Sequence, residues 1–172
     1  MRVDNPARFM IMDACVLIDY MNGEPDLFGL ISSYIGPIYV ATAILEEVDC
    51  IDSIEELEDL GLLPIDVEIE DVFSAADMIG PTSFQDNLCF LTAKRKNLTC
   101  VTNDKNLRLQ CENSSVLILW GLELVLELTK IGGISRKKAM QIAIEINVSN
   151  PRHISQKVLE GFMTKLASQY NK

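Results

Sequence analysis

Four acids stand where an apolar run ends or an amphipathic one begins: Asp13 in FMIMDACVLIDY, Glu47 in VATAILEEV, Asp86 in TSFQDNLCFLTA and Asp104 in LTCVTNDKNL. Hard divalent cations take oxygen ligands, and Mg2+ keeps several waters while accepting one to a few carboxylates. Asp13, Glu47, Asp86 and Asp104 are therefore the candidate metal ligands, with Mg2+ or Mn2+ as the candidate cofactor. If they share one cation, the carboxyls of Asp13, Asp86 and Asp104 should lie about 4 to 6 Å apart, and their crowding should raise at least one pKa. Each acid also has a plainer use. Asp13 can bond backbone amides at a strand end, Asp86 favours a helix N-terminus, Asp104 suits a turn, and Glu46 competes with Glu47.

For these acids to meet, the elements between them must fold distant positions onto one edge. Residues 10–18 are an apolar run that reads as a central strand buried on both faces. Leu27, Leu30, Ile31 and Tyr34 recur at helical spacing until Gly36 and Pro37, and a short strand follows at 38–40. Thr42 opens a helix that carries Glu47. Asp52 caps the next over 53–60, Gly61 ends it, and 62–67 reads as a strand. A helix over 70–79 shows Phe73, Ala76 and Ile79 on one side. Ser83 stands three residues before Asp86, the capping-box spacing, which puts Asp86 in the first turn of a helix that buries Phe84, Leu88 and Leu91.

Strands at 98–102 and 116–120 complete the alternation, which implies βαβ units and a parallel sheet covered on both faces. The expected fold is α/β, a three-layer sandwich around a central parallel sheet of about five strands. Ligands of such sheets bind beyond the carboxyl ends of the strands, and Asp13 and Asp104 would both reach that rim. After Trp120 the pattern is helical. Leu122, Val125 and Leu128 mark one segment, Ser135 can cap another over 136–147, and Val158, Leu159, Phe162 and Leu166 mark a third. No linker sets them apart, so residues 1–130 are expected as one domain and 131–172 as a helical extension packed on it.

The 172 residues fit one domain with an adequate core. The formal charge is -10, and it is unevenly spread: residues 46–71 hold 12 acids and no Lys or Arg, while 130–172 hold 8 basic residues against Glu145 and Glu160. That pattern reads either as a solvated acidic helix with a separate basic tail, or as an acidic side for a basic partner and a basic side that guides nucleic acid. The acidic total argues against strong non-specific nucleic-acid binding. The five cysteines are odd in number and form no CxxC pair, which suits free thiols in a reducing cytoplasm. Despite Arg2 and Arg8, Asp13 and Asp19 break the first apolar run too early for a signal peptide or a membrane span.

What is missing narrows the chemistry further. The one histidine, His153, follows Pro151 in a loop and reads as a surface or helix-start residue. A two-histidine nuclease and a Ser-His-Asp hydrolase are thereby excluded. There is no GxxxxGK[ST] or GxGxxG for nucleotides and no zinc-type Cys/His spacing.

The order and flanks of the acids resemble the PIN-domain family of metal-dependent ribonucleases, which includes toxins of bacterial and archaeal toxin–antitoxin pairs. That family's pattern opens with Asp, a small residue, a polar residue and aliphatics, and Asp13, Ala14, Cys15, Val16 and Leu17 follow it with Cys15 in the polar place. Asp86 opening a helix, Ala93, the basic Lys94, Arg95 and Lys96, a strand, then Thr102 and Asp104 match its last block. The resemblance covers about residues 9–120. It implies a Mg2+- or Mn2+-dependent endoribonuclease acting on RNA through Asp13, Glu47, Asp86 and Asp104, with Glu47 aligned by the Val48 that follows it. Thr102 would hold a water or an acid in place. Lys94, Arg95, Lys96, Lys105 and Arg108 would steer the phosphate backbone, or serve only as solvated helix-end cations. A basic antitoxin protein is the implied partner and a homo-oligomer is compatible. The same pattern also allows a PIN-type fold kept as a non-catalytic binding module.

Overall fold

The computed structural model of the protein describes residues 8–169; Arg2, and Lys172 at the end of the basic run, lie outside them. Five parallel strands form one sheet in the order β3-β2-β1-β4-β5. They are β1 (Met10–Met12), β2 (Ile38–Ala41), β3 (Leu63–Ile65), β4 (Thr99–Val101) and β5 (Ile118–Leu119). β1 is central, with Met10 opposite Ile38 on one side and Met12 opposite Val101 on the other. Successive strand residues point to opposite faces, so the complete burial of Met10, Ile11 and Met12 requires cover on both. The α/β architecture with about five parallel strands and C-terminal helices is the one expected from the sequence.

The helices that supply this cover are α1 (Ala14–Gly23), α2 (Leu27–Tyr34), α3 (Ile54–Asp59), α4 (Ile69–Asp77), α5 (Phe84–Lys96) and α6 (Lys105–Asn113). After β5 come α7 (Gly121–Lys130), α8 (Arg136–Ser149) and α9 (Gln156–Ser168). α8 packs on α1 and α7, and α9 packs on α7 and α8. Ala139, Ile142, Ala143 and Ile146 of α8 join Leu159, Phe162 and Leu166 of α9 in the same buried cluster as the strands.

Several local expectations need correction. The run 10–18 is not one strand: β1 stops at Met12, opposite the last residue of β4, and Leu17 N–H already bonds Asp13 O at 3.1 Å to begin α1. Uniform apolarity fits a buried helix as well as a buried strand, and here the partner strand sets the boundary. Residues 42–47 form a 3-10 helix. Ser53, not Asp52, caps α3, its hydroxyl accepting from Glu56 N–H. α4 ends at Asp77, short of Ile79, and its buried side carries Asp71 and Ala75, while Phe73 on the helix and Ile79 beyond it face solvent. The Asp71 carboxylate there receives Arg95 of α5 through two bonds at 2.6 and 2.8 Å, and that ion pair sets the helix face. Phe84 is likewise exposed.

Candidate functional site

The strand order turns around at β1: β2 and β3 lie to one side, β4 and β5 to the other. Chains diverge from such a point and leave a crevice beyond the carboxyl ends of the two strands that flank it. Asp13 follows β1 directly, and Asp104 follows β4 by way of Thr102 and Asn103. Glu47 closes the 3-10 helix after β2, and Asp86 sits in the first turn of α5. Asp13, Glu47, Asp86 and Asp104 all line one cleft of about 280 Å³, together with Ala14, Cys15, Ile18, Ser83 and His153. Glu46 does not line it.

Each acid is held by a specific local device. Asp13 is buried, and its Oδ2 accepts from Cys15 Sγ at 2.8 Å and from Thr102 Oγ1 at 2.9 Å. Thr102 Oγ1 in turn accepts from Asp104 N–H at 3.0 Å, so one hydroxyl joins the ends of β1 and β4. Asp104 is the N-cap of α6, its Oδ1 accepting from Asn106 and Leu107 N–H at 2.8 Å each. Asp86 completes the capping box of α5: Ser83 Oγ accepts from Asp86 N–H at 3.0 Å and Asp86 Oδ2 from Ser83 N–H at 2.9 Å.

These devices bear on the metal. Among the described residues no three His, Cys, Asp or Glu side chains converge closely enough to hold an ion. Asp86 and Asp104 each turn one oxygen to helix N–H groups. The donor set still fits a hydrated hard cation: it is all carboxylate, and Asp86 and Asp104 each keep one oxygen without a protein partner among the described residues.

No family model matches the chain, and no curated protein matches it. Among solved structures it is similar to a PilT N-terminus domain protein from the hyperthermophilic archaeon Sulfolobus solfataricus P2. The identity is 15%, over 67% of this chain and 89% of that one, with a TM-score of 0.49.

The electrostatics follow from burial and like charge. Asp13 is raised to about 6, first by burial and then by the charge of Asp86, against the bonds from Cys15 and Thr102. Crowding contributes, but desolvation leads. Glu47 is raised by burial and again by Asp86. Asp86 acts on both Asp13 and Glu47, and a cation among the three would relieve that repulsion.

The basic residues divide into two groups. Lys94, Arg95 and Lys96 lie at the far end of α5 from Asp86, more than two helical turns away at about 1.5 Å per residue. There Arg95 pairs with Asp71, Lys96 with Glu68 at 3.3 Å, and Lys94 sits over the Phe90 ring. Sequence adjacency to the acids does not make them neighbours in space. Lys105 and Arg108 do stand on the rim, on the helix that Asp104 caps.

Cys15, in the polar place of the Asp13 motif, bonds the buried acid directly. One contribution escaped the sequence reading. His153 lines the cleft although it lies 49 positions beyond Asp104 in the chain, because Asn150 ties its loop down. Asn150 Nδ2 donates to Asp19 Oδ1 at 2.7 Å, and Asn103 Nδ2 donates to Asp19 Oδ2 at 2.9 Å. Asn103 Oδ1 then accepts from Gly121 N–H, so α1, the β4–α6 loop, α7 and the α8–α9 loop meet on one buried carboxylate. The only sequence signal was Asp19 itself, an acid interrupting an apolar face.

Proposed function

We propose that the cleft belongs to a metal-dependent endoribonuclease that hydrolyses RNA phosphodiester bonds with Mg2+ or Mn2+. The observation that carries this reading is the meeting of four acids from four separate elements in one cleft at the turning point of a parallel sheet. Asp13, Glu47, Asp86 and Asp104 would hold the cation, some through water. When bound, it would lower the pKa of a water and neutralise charge growing on phosphate oxygens. Thr102 and Cys15 fix the orientation of Asp13 by donating to its Oδ2. Lys105, exposed on the helix that Asp104 caps, would hold the phosphate backbone, with Arg108 beside it on the RNA path.

The test is cleavage of a mixed single-stranded RNA pool with Mn2+ and with chelator. Glu47→Gln should lower the rate by orders of magnitude while Glu46→Gln leaves it largely intact, since only Glu47 lines the cleft. A second reading, a non-catalytic binding module, draws on the helix-capping bonds that already occupy Asp86 and Asp104. It takes over if the wild type shows neither chelator-sensitive cleavage nor stabilisation by Mn2+.

A basic protein, such as an antitoxin, is the proposed regulator. Of the 12 acids in residues 46–71, only Glu68 and Asp71 are in ion pairs among the described residues, which leaves an acidic surface open to such a partner.

A further inference from the structure

Beside the acids, on the same rim, stands a feature that cation binding does not use. Trp120 is the one tryptophan of the chain and follows β5 directly. The guanidinium carbon of Arg108 lies 3.6 Å from the centre of its ring. Both side chains are half-buried. Arg108 Nη1 donates to Asn103 O at 2.6 Å, which holds the guanidinium, and the backbone N–H of Trp120 donates to Glu123 Oε2 at 3.0 Å, which holds the chain at the base of the ring. Among the described residues, Nε and Nη2 of Arg108 have no protein acceptor, and although Asp104 and Glu112 are near enough to act on its charge, neither forms an ion pair with it. Lys105 is exposed three residues earlier, on the same side of α6.

A guanidinium is planar, and one that lies over an aromatic ring on one side has a second face on the other. Unpaired bases stack on such guanidinium planes, whereas bases in a duplex are already stacked and cannot. The position matters as much as the chemistry. Arg108 is one helical turn beyond Asp104, so a nucleotide whose base lay on it would bring its phosphate towards the acids. In a chain of net charge -10, electrostatic attraction alone is a poor means of holding RNA. Stacking supplies affinity that does not depend on net charge.

We propose that Arg108, backed by Trp120, is a stacking site for one unpaired nucleobase of single-stranded RNA, with Lys105 on the adjoining phosphate. The assignment rests on the ribonuclease reading for the placement of RNA over the cleft. Because the chain has one tryptophan, its fluorescence reports on this site without a label.

The experiment uses the full chain in chelator, so that nothing is cut. Trp120 emission and the anisotropy of a dye-labelled strand are followed with three probes of equal length: a mixed-sequence single-stranded RNA, the same backbone without bases, and an RNA duplex. The single strand should change Trp120 emission saturably, and the other two should bind about tenfold more weakly or worse. Arg108→Lys, which keeps the charge and loses the plane, should weaken the single strand by a similar factor. Equal binding of the abasic strand, an unaltered Arg108→Lys affinity, or no binding of any probe would each overturn the site. If Arg108→Lys fails to fold, the abasic comparison on the wild type decides. Cleavage with Mn2+ is scored separately: base-dependent binding without cleavage keeps the stacking site and removes the ribonuclease reading, and cleavage without base dependence does the reverse.

Discussion

Asp13 is the cleft acid that burial alters strongly. Its pKa in the folded chain is about 6, above the ordinary 3.8, so the folded state binds its proton more tightly than the unfolded state does. Stability from this group is fully present below about pH 3.8 and is lost as pH rises through about 6. A tenfold change in proton affinity is about 1.4 kcal/mol, so the loss should be on the order of 3 kcal/mol. Urea unfolding in chelator at pH 3.5 and pH 7 should show that Asp13→Asn removes this decline, and becomes relatively more stable than the wild type at the higher pH. A difference between the two proteins that does not vary with pH would show that the raised pKa is not real. Asp104 asks a different question of the same kind. As an N-cap accepting two N–H bonds, it should cost about 1 kcal/mol when replaced by Ala and much less when replaced by Asn, read by thermal unfolding.

At the scale of elements, α5 connects the cleft to the opposite side of the molecule, and its two ends make separable predictions. Ser83→Ala removes one half of the capping box and should destabilise by about 1 kcal/mol. Asp71→Ala should cost more, because it leaves the Arg95 contact on α4 without its carboxylate, although part of that loss is screened at the exposed guanidinium. If instead Phe73→Ser proves the costlier change in chemical unfolding, the assignment of the α4 face is wrong.

The capping box, the ends of α2 at Gly36, and the strands 38–40 and 98–102 were legible because turn chemistry and caps are local. The α4 face was not, since its apolar periodicity points outward and the pairing of buried Asp71 with Arg95, 24 residues away on another helix, overrides it. The site was legible in part for the same reason. Four acids at strand and helix ends can be picked out one at a time, while Asn150 and His153 gain their place only from contacts across the chain.

For the molecule as a whole, the α8–α9 loop is tied to α1 and the β4–α6 loop through Asp19. That carboxylate is buried and raised by its burial, with the amides of Asn150 and Asn103 and the nearby His153 acting the other way. Asn150→Ala leaves a buried oxygen without its donor and should cost about 1 to 3 kcal/mol. Hydrogen exchange should then quicken at residues 150–154 while β1 stays protected. Unchanged exchange there would mean that packing of α8 and α9, not this bond, holds the loop.

The central position of β1 also governs when the cleft can be assembled during synthesis. β2 emerges soon after β1 and can pair with one side of it, but the other side waits for β4. Thr102 reaches Asp13 across 89 positions and Asn150 reaches Asp19 across 131. Translation proceeds at about 5 to 20 residues per second, and contacts of such long range are slow to form in any case. A partly made chain therefore carries Asp13 for most of its time on the ribosome without the residues that would arm it, and a protein proposed to cut RNA stays harmless to its own message until it is nearly complete.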